Sequence, residues 1–246
     1  MLAPATGRLD ELPTEHPCFG CEVRAAAVCG VLGCTDLAAY RRLGWTMRVR
    51  AGQALFHEGD PVTRVFTLTE GAVKLYRLLP DGRRQVVGFL APGDFLGISV
   101  NNDHSFSTEA LADSRLCWLP RNRFGSFTEA HPDMERELYR IAAHELGAAQ
   151  AQMVLLGRKT AEERVASFFL LLVERAERAS GRNQSVVALP MSRLDIADYL
   201  GLTKETVSRV LAVLRNKRAI RLVTLDRIEL LDRAGLTAIA EGAALN

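Results

Sequence analysis

Five cysteines are the residues of this chain most capable of specific chemistry, and four of them lie before residue 35. Cys18, Cys21, Cys29 and Cys34 are separated by two, seven and four residues, whereas Cys117 stands alone at the end of a predicted strand. A separation of two residues lets two thiolates reach neighbouring coordination positions from one turn of chain. The N-terminal spacing therefore favours a soft metal centre, while a lone cysteine such as Cys117 is also typical of a small buried hydrophobic residue.

Zinc is one candidate for this metal. Four clustered thiolates can form a tetrahedral structural site, although intervals of seven and four are unlike those of zinc knuckles and Cys117 would have no role. Residues 1–8 lack the charged and apolar regions of an export signal, so a reducing cytoplasm is expected. An odd number of cysteines there favours metal or redox chemistry over structural disulfides.

A second chemically capable group lies near residue 205. Thr203 is a good N-cap for a helix whose first turns carry Lys204, Glu205, Ser208 and Arg209 on its exposed side. Arginine can pair with guanine and glutamate can accept from cytosine, as readout in the DNA major groove requires. The opposite side of this helix has an apolar stripe at helical spacing: Val207, Val210, Leu211 and Leu214.

The surroundings of this helix support a DNA-binding role. Ser192 and Asp195 form a capping box for a preceding helix, and Gly201 supplies the turn between the two. Ile220–Val223 and Arg227–Leu230 alternate like the strands of a wing. Residues 191–227 contain eight basic and four acidic side chains. Their net charge of +4 exceeds the net charge of the whole chain, which is +2. An ordinary amphipathic helical hairpin would explain the helical spacing of the apolar residues but not the clustering of base-reading and basic side chains.

The rest of the sequence predicts the strands and helices that position the cysteines and the candidate DNA-binding residues. The chain of 246 residues is long enough for two domains. Between Trp45 and Pro120, short β runs separated by glycines predict a jelly-roll-type barrel, with Asp81-Gly82 at a hairpin tip. No apolar run approaches the ~18 residues that span a bilayer, and no enzyme motif is present. The predicted strands include Phe66–Glu70, Ala72–Arg77 and Gln85–Leu90.

A long helix is predicted from Pro132 to about Leu156. It carries a heptad seam that suits pairing with a second copy, since the small residues Ala142 and Ala149 let a partner helix approach closely; a single buried helix is the alternative. The seam residues are Tyr139, Ala142, Leu146, Ala149, Met153 and Leu156. Leu138, Ile141 and Val154 lie off the seam and are expected to face the barrel.

The expected architecture is thus α+β. It comprises a cysteine-rich segment (1–39), a β-roll resembling a cyclic-nucleotide-binding domain (40–130), a dimerisation helix (131–158) and a winged helix-turn-helix domain (159–246), in which Thr160 and Glu163 cap a further helix.

This order of elements resembles the CRP/FNR family of bacterial transcription regulators. The resemblance covers residues 40–232 and is carried by Arg50–Asp60, Gly93–Gly97 and Leu202–Arg209. Glu205, Ser208 and Arg209 match the pattern of the FNR branch. The resemblance implies a homodimer that binds double-stranded DNA at an inverted repeat close to TTGAT-N4-ATCAA. It also implies RNA polymerase as a partner at the Asp81-Gly82-Arg83 tip, whereas the sequence alone favours a solvated turn there.

The resemblance also implies a cofactor. Oxygen-sensing members of the FNR branch hold a 4Fe-4S cluster with three N-terminal cysteines and a distant one, which here match Cys18, Cys21, Cys29 and Cys117. Cys34 is then surplus. The implied protein senses oxygen and is active as a cluster-bound dimer under anaerobic or microaerobic conditions. The alternative is a cluster-free family member that responds to nitric oxide, another effector or its own abundance, with cysteines that bind zinc or no metal.

Two departures from the wider family refine this expectation. Ile98 stands where cyclic-AMP-binding members have a glutamate, and Ser99–Thr108 contains no arginine to neutralise a cyclic phosphate, so no cyclic nucleotide is expected. Ala149 stands where the seam of related sensors can carry an acidic side chain. Dimers are therefore expected to survive cluster loss more readily.

Overall fold

The structure is a computed structural model that describes residues 18–97 and 101–242. The chain divides into two compact units. The first contains the residues before 78 together with residues 87–146, and the second contains residues 78–86 together with the chain from residue 147. Among the described residues, no helix is long and apolar enough to cross a membrane.

Antiparallel strands build the first unit and confirm the predicted β-roll. One sheet has the strand order β1-β7-β2-β5 and the other has the order β4-β3-β6. Their apolar faces share a core to which Leu68 and Leu116 contribute from the first sheet and Val73 and Ala110 from the second. The strands are β1 (Trp45–Val49), β2 (Arg64–Glu70), β3 (Val73–Leu78), β4 (Arg84–Leu90), β5 (Phe95–Leu96), β6 (Ser107–Ala110) and β7 (Ser114–Pro120).

A second core in this unit anchors the N-terminal segment. Two short 3-10 turns, Arg24–Ala26 and Val28–Val31, lead into helix α1 (Cys34–Arg42), which packs with helix α2 (Arg121–Glu129). Aromatic and aliphatic side chains from these elements are buried together, and Cys18, Cys29 and Cys34 are partly buried against them. The buried members are Val28, Leu32, Leu37, Tyr40, Val65, Leu119, Phe124, Phe127 and Met134.

The predicted long helix is α3, Pro132–Arg158. Leu138 and Ile141 pack against the second core, as expected. Val154 was expected to face the barrel, and this expectation is wrong: its side chain is 59% exposed, while the neighbouring Leu155 takes the buried position. The register of the helix explains the difference, because adjacent residues point about 100° apart.

Most of the predicted seam is exposed on this chain. Tyr139, Leu146 and Met153 are 78%, 60% and 67% exposed, and Ala142 and Ala149 are exposed as well. Leu156 departs from this row because it is half-buried beside Gly201: a Cβ atom built on that glycine would lie 3.4 Å from Leu156 Cδ2.

The second unit contains the predicted winged helix-turn-helix. The capping boxes at Thr160 and Ser192 are both present, and Gly201 adopts φ of 62° to turn the chain between α5 and α6. Strand β8 and helix α7 were not predicted. The elements are α4 (Ala161–Ser180), β8 (Val186–Ala188), α5 (Arg193–Leu200), α6 (Lys204–Asn216), β9 (Ile220–Thr224), β10 (Arg227–Leu230) and α7 (Arg233–Ala240), with the sheet order β8-β10-β9.

One guanidinium ties three segments of this unit together. Arg164 on α4 donates to the carbonyl oxygens of Lys159 (2.8 Å), Leu156 (2.9 Å) and Leu200 (2.9 Å). Leu156 and Leu200 lie in the last turns of α3 and α5, where helix carbonyls lack partners within their own helix. Arg164 therefore supplies the missing donors for two helix ends at once.

Candidate metal centre and nucleic-acid interface

Four of the five cysteines line one cavity in the first unit. Cys18 and Cys21 come from the turn that opens the described chain, Cys29 from the second 3-10 turn and Cys117 from strand β7. Cys34 begins α1 and is not part of the lining. All five lie within the described residues, and none forms a disulfide. The cavity thus gathers the set that resemblance implied and leaves out the cysteine that a local zinc site would need.

Strand pairing delivers Cys117 to this cavity. It is the fourth residue of β7, so the expectation that it ends a strand is wrong. Its register partners are Thr46 on β1 and Thr67 on β2, and both neighbouring strands are antiparallel to β7. A central strand is held by hydrogen bonds on both edges, and Cys117 is accordingly the most firmly positioned of the four.

Neighbouring sulfur atoms influence the ionisation of Cys18, Cys29 and Cys117. Burial, followed by the charges of Cys18, Cys21 and Cys117, raises the pKa of Cys29 to about 12. Burial, followed by Cys117 and Cys21, raises the pKa of Cys18 to about 11. Burial also raises the pKa of Cys117. These three thiols are therefore protonated near neutral pH in the metal-free protein.

Two arginines provide positive charge beside the cysteines. Arg41 donates to the Gly44 carbonyl oxygen (2.7 Å) and to Thr46 Oγ1 (2.9 Å), and its charge acts against the rise in the pKa of Cys18 and of Cys117. Arg24 is buried and donates to the Leu32 carbonyl oxygen (3.1 Å). These guanidinium groups would offset the negative charge of thiolates bound to a metal, which is otherwise costly to bury.

Apolar and aromatic side chains form most of the remaining wall, to which Thr67 and Thr69 also contribute. Trp45 and Trp118 stack with ring centroids 4.8 Å apart, and both line the cavity. Val23, Ala27 and Tyr40 also contribute to the lining. Such a wall limits the access of water to a buried centre.

The cavity's donor set matches the implied cluster in chemistry but not in its present arrangement. Within residues 18–97 and 101–242, no three Cys, His, Asp or Glu side chains meet in an arrangement that would hold a metal ion as they stand. The chemistry of the lining nevertheless fits a 4Fe-4S cluster, because its potential ligands are four thiols and no carboxylate or imidazole. Ligation would require deprotonation and a movement of the sulfur atoms toward a common centre.

The exposed side of α6 carries the predicted base-reading residues. Val207, Val210, Leu211 and Leu214 are buried as predicted. Glu205 and Arg209 are exposed in the first turns, as are Thr203 and Lys204, and Ser208 is half-buried. Thr203 Oγ1 accepts from the Thr206 backbone N–H (3.2 Å), which fixes the start of the helix. Arg193 on α5 donates to Ser208 Oγ at 3.4 Å, a contact that the sequence did not suggest.

The basic residues beyond α6 differ in their availability to DNA. Lys217 pairs with Glu162 at 3.0 Å, and Arg221 pairs with Glu229. Arg218 is exposed and adopts φ of 55°, the left-handed conformation that ends the turn after α6. Arg218 is consequently a better candidate for a phosphate contact than Lys217.

Among the described residues of the β-roll, Lys74 is a buried cation that sequence reasoning missed. Lys74 on β3 is 3% exposed and pairs with Glu109 on β6 at 2.8 Å. Ile98 and Ser99, which contributed to the expectation that no cyclic nucleotide binds, lie outside the described residues. The strand pairing that places Lys74 opposite Glu109 could not be read from the sequence.

The fold and the exposed recognition helix define a DNA-binding transcription regulator with a β-roll domain. Residues 46–131 match the family model of the cyclic nucleotide-binding domain, and residues 163–239 match that of the Crp-like helix-turn-helix domain. Both matches coincide with the elements described above.

Similarity to individual proteins identifies the family to which the chain belongs. It is 43% identical over 228 residues to the nitrogen fixation regulation protein FixK of Bradyrhizobium diazoefficiens, which covers 93% of this chain and 95% of that protein. It is 34% identical over 237 residues to the transcriptional activator protein FnrL of Cereibacter sphaeroides, with coverages of 92% and 96%. The solved structure of FixK2 from Bradyrhizobium japonicum matches with a TM-score of 0.75 and 35% identity, covering 82% of this chain and 98% of that one. The chain belongs to the CRP/FNR family of transcription regulators, and it is not an enzyme.

Proposed function

We propose that this regulator senses oxygen through a 4Fe-4S cluster held by Cys18, Cys21, Cys29 and Cys117. The observation that carries the proposal is the shared cavity, in which Cys117 of β7 meets three cysteines from the N-terminal segment. The relative named as the transcriptional activator protein FnrL supports activation of transcription as its role. Control of anaerobic or microaerobic genes by a cytoplasmic protein follows from this proposal.

The residues of the chain have separate tasks in this scheme. A bound cluster supplies the reactivity toward oxygen. The four thiolates would hold it, Arg24 and Arg41 would offset its negative charge, and the stacked Trp45 and Trp118 would limit water. Because Cys29 and Cys18 hold their protons tightly without metal, ligation would release protons and hold the N-terminal turns against β7.

Dimerisation would carry the signal to DNA. The exposed row of α3, from Tyr139 to Met153, would pair with the same row of a second copy and so bury apolar surface that one chain leaves in water. Two recognition helices would then read an inverted repeat close to TTGAT-N4-ATCAA through Glu205, Ser208 and Arg209. RNA polymerase is the proposed partner of the exposed hairpin tip at Asp81 and Arg83.

Cyclic nucleotides have no part in this proposal. Lys74, the buried cation of the roll, is already paired with Glu109, and a cyclic phosphate would need an unengaged positive charge. Calorimetry with millimolar cyclic AMP should show no saturable binding. Binding that also raised affinity for the DNA repeat in air-exposed protein would contradict both this expectation and the cluster-based proposal.

A cluster-free regulator is the second candidate. It is favoured by the finding that no group of three or more donors among the described residues is arranged to hold a metal ion as it stands. Such a protein would respond to nitric oxide, another effector or its own concentration, with cysteines that bind zinc or no metal.

Iron and sulfide analysis of anaerobically purified protein separates the two candidates. The cluster predicts a brown protein whose visible absorbance fades in air. Serine substitution of Cys18, Cys21, Cys29 or Cys117 should remove the iron, whereas Cys34→Ser should retain it as the matched control. A colourless wild-type protein with stoichiometric zinc would refute the cluster, and iron retained in Cys117→Ser but lost in Cys34→Ser would reassign the fourth ligand.

A further inference from the structure

Tyr40 on α1 has a buried hydroxyl that no atom of the described chain pairs with. Its side chain is 5% exposed, and its oxygen has no hydrogen-bond partner in residues 18–97 and 101–242. The ring is fixed by edge contacts to Phe127, at a centroid distance of 5.3 Å, and to Phe124, at 6.4 Å. Buried hydroxyl groups are almost always paired in folded proteins, so this exception calls for an acceptor outside the described residues.

The surroundings of Tyr40 indicate what that acceptor is. Tyr40 lines the same cavity as the four cysteines. Among ionisable groups, those that act on its hydroxyl are Cys29, Cys117 and Cys18, in decreasing order of effect. The two phenylalanine rings therefore hold a proton donor at the space that the sulfur atoms share, and a group filling that space would meet it.

We propose that the Tyr40 hydroxyl donates a hydrogen bond to a sulfur atom of the cluster-thiolate centre and thereby slows its reaction with oxygen. This inference rests on the proposed function. A donor to a cluster sulfur stabilises the more electron-rich state, and hydrogen bonds to the sulfurs are among the factors that set cluster potentials. Tyr40 is thus a positioning residue that tunes the sensor without serving as a ligand.

The test is Tyr40→Phe, which removes only the hydroxyl. Anaerobically prepared variant should contain as much iron and sulfide as wild type, but a fixed amount of dissolved oxygen should bleach it several-fold faster. Resonance Raman spectroscopy adds a readout independent of activity: iron-sulfur stretching bands that shift between H2O and D2O in wild type should lose part of that shift. Tyr76→Phe on β3, whose hydroxyl is outside the cavity lining, is the matched control and should behave as wild type.

Metal-free protein provides a second readout. Because the unpaired hydroxyl is costly to bury, Tyr40→Phe should have a thermal midpoint equal to or above that of wild-type apoprotein. A lower midpoint would reveal a protein partner for the hydroxyl and overturn the inference. Equal bleaching rates and equal isotope shifts in iron-loaded wild type and Tyr40→Phe would also overturn it, while leaving the cluster in place. A wild-type protein without iron and sulfide would instead refute the proposed function, and this inference with it.

Discussion

Thr46 on β1 and Cys117 on β7 are register partners across the β1–β7 ladder, and hydrogen bonding from the Thr46 side chain acts to lower the pKa of the Cys117 thiol. Arg41 donates to Thr46 Oγ1 at 2.9 Å. Since a guanidinium only donates, the Thr46 oxygen accepts from Arg41 and its own proton remains available to the sulfur. The relay lowers the pKa of Cys117 against the larger, opposite effect of burial.

Thr46→Val should therefore make Cys117 harder to deprotonate. The thiolate is the reactive form of cysteine, so alkylation of Cys117 in the metal-free protein should require a higher pH. Mass spectrometry of the Cys117 peptide across a pH series measures this shift. Thr67→Val is the matched control, because Thr67 faces Cys117 from the other neighbouring strand. Identical profiles for Thr46→Val and wild type would show that the relay has no effect on the thiol.

The metal-free protein should lose stability in alkali. The folded-state pKa values of Cys18 and Cys29, about 11 and about 12, lie above the ordinary value of 9.0. Folding thus favours the protonated thiols, and this contribution is complete below about pH 9 and lost as the pH rises through 11 and 12. Denaturant midpoints should fall between pH 8.5 and about 10.5. A Cys18→Ser/Cys29→Ser double variant should show a flatter dependence, and a wild-type curve no steeper than this control would contradict the prediction.

Gly30→Ala should disturb the turn that carries Cys29. A Cβ atom at this position would lie 2.5 Å from the Arg24 carbonyl oxygen, so the backbone would have to move. Overpacking of this kind costs about 1–3 kcal/mol, and iron retention should drop. Gly33→Ala is the control, since a Cβ there meets no atom within 4 Å. The measurements are the iron-to-protein ratio and the apoprotein denaturant midpoint, which should be unchanged in the control.

Leu146→Glu should weaken the proposed dimer. Leu146 is 60% exposed at the middle of the α3 row, so pairing would place two like charges opposite each other. Sedimentation analysis should show a higher dimer dissociation constant. Ala148→Glu places the same charge on another exposed side of the helix and should leave the dimer intact. If both variants dimerised as well as wild type, the interface would lie elsewhere.

Arg209→Ala should reduce discrimination between DNA sequences. Loss of a bidentate contact to guanine costs about 1–3 kcal/mol. Arg218→Asn is the comparison, because asparagine tolerates the left-handed backbone at this residue while removing the charge. This substitution should lower the affinity for all DNA sequences by the same factor and make that affinity less dependent on salt concentration. If Arg209→Ala lowered the affinity for the TTGAT repeat and for random DNA equally, Arg209 would not be a base-reading residue.

The sequence predicted features that depend on neighbouring residues better than those that depend on distant ones. The capping box of Ser192 and Asp195 and the buried stripe of α6 follow from local spacing, and both are present. Val154 was misplaced because helical periodicity defines a face but not the surface that covers it. Leu156 is half-buried beside Gly201 for a related reason, since that contact joins parts of the chain 45 residues apart.

Prediction of the candidate site from the sequence was limited in the same way. The N-terminal spacing identified Cys18, Cys21, Cys29 and Cys34 as possible ligands. The choice of the first three together with Cys117 came from family resemblance. The Thr46 and Tyr40 hydroxyls had no sequence signal, since their significance arises from strand register and from burial by α2. The role of Arg164 could not be predicted from the sequence either, because its acceptors are backbone carbonyls that any residue type can provide.

The three carbonyl contacts of Arg164 give the second unit a mechanical property. They join the last turns of α3 and α5, and Gln152 of α3 adds a bond to the Tyr199 carbonyl oxygen at 2.9 Å. These helix ends cannot rotate past each other without breaking charged hydrogen bonds, which are among the stronger ones in proteins. The end of α3 and the first helix of the motif therefore behave as one stiff lever. We therefore expect a rotation of the final turns of α3 to be passed on to α5.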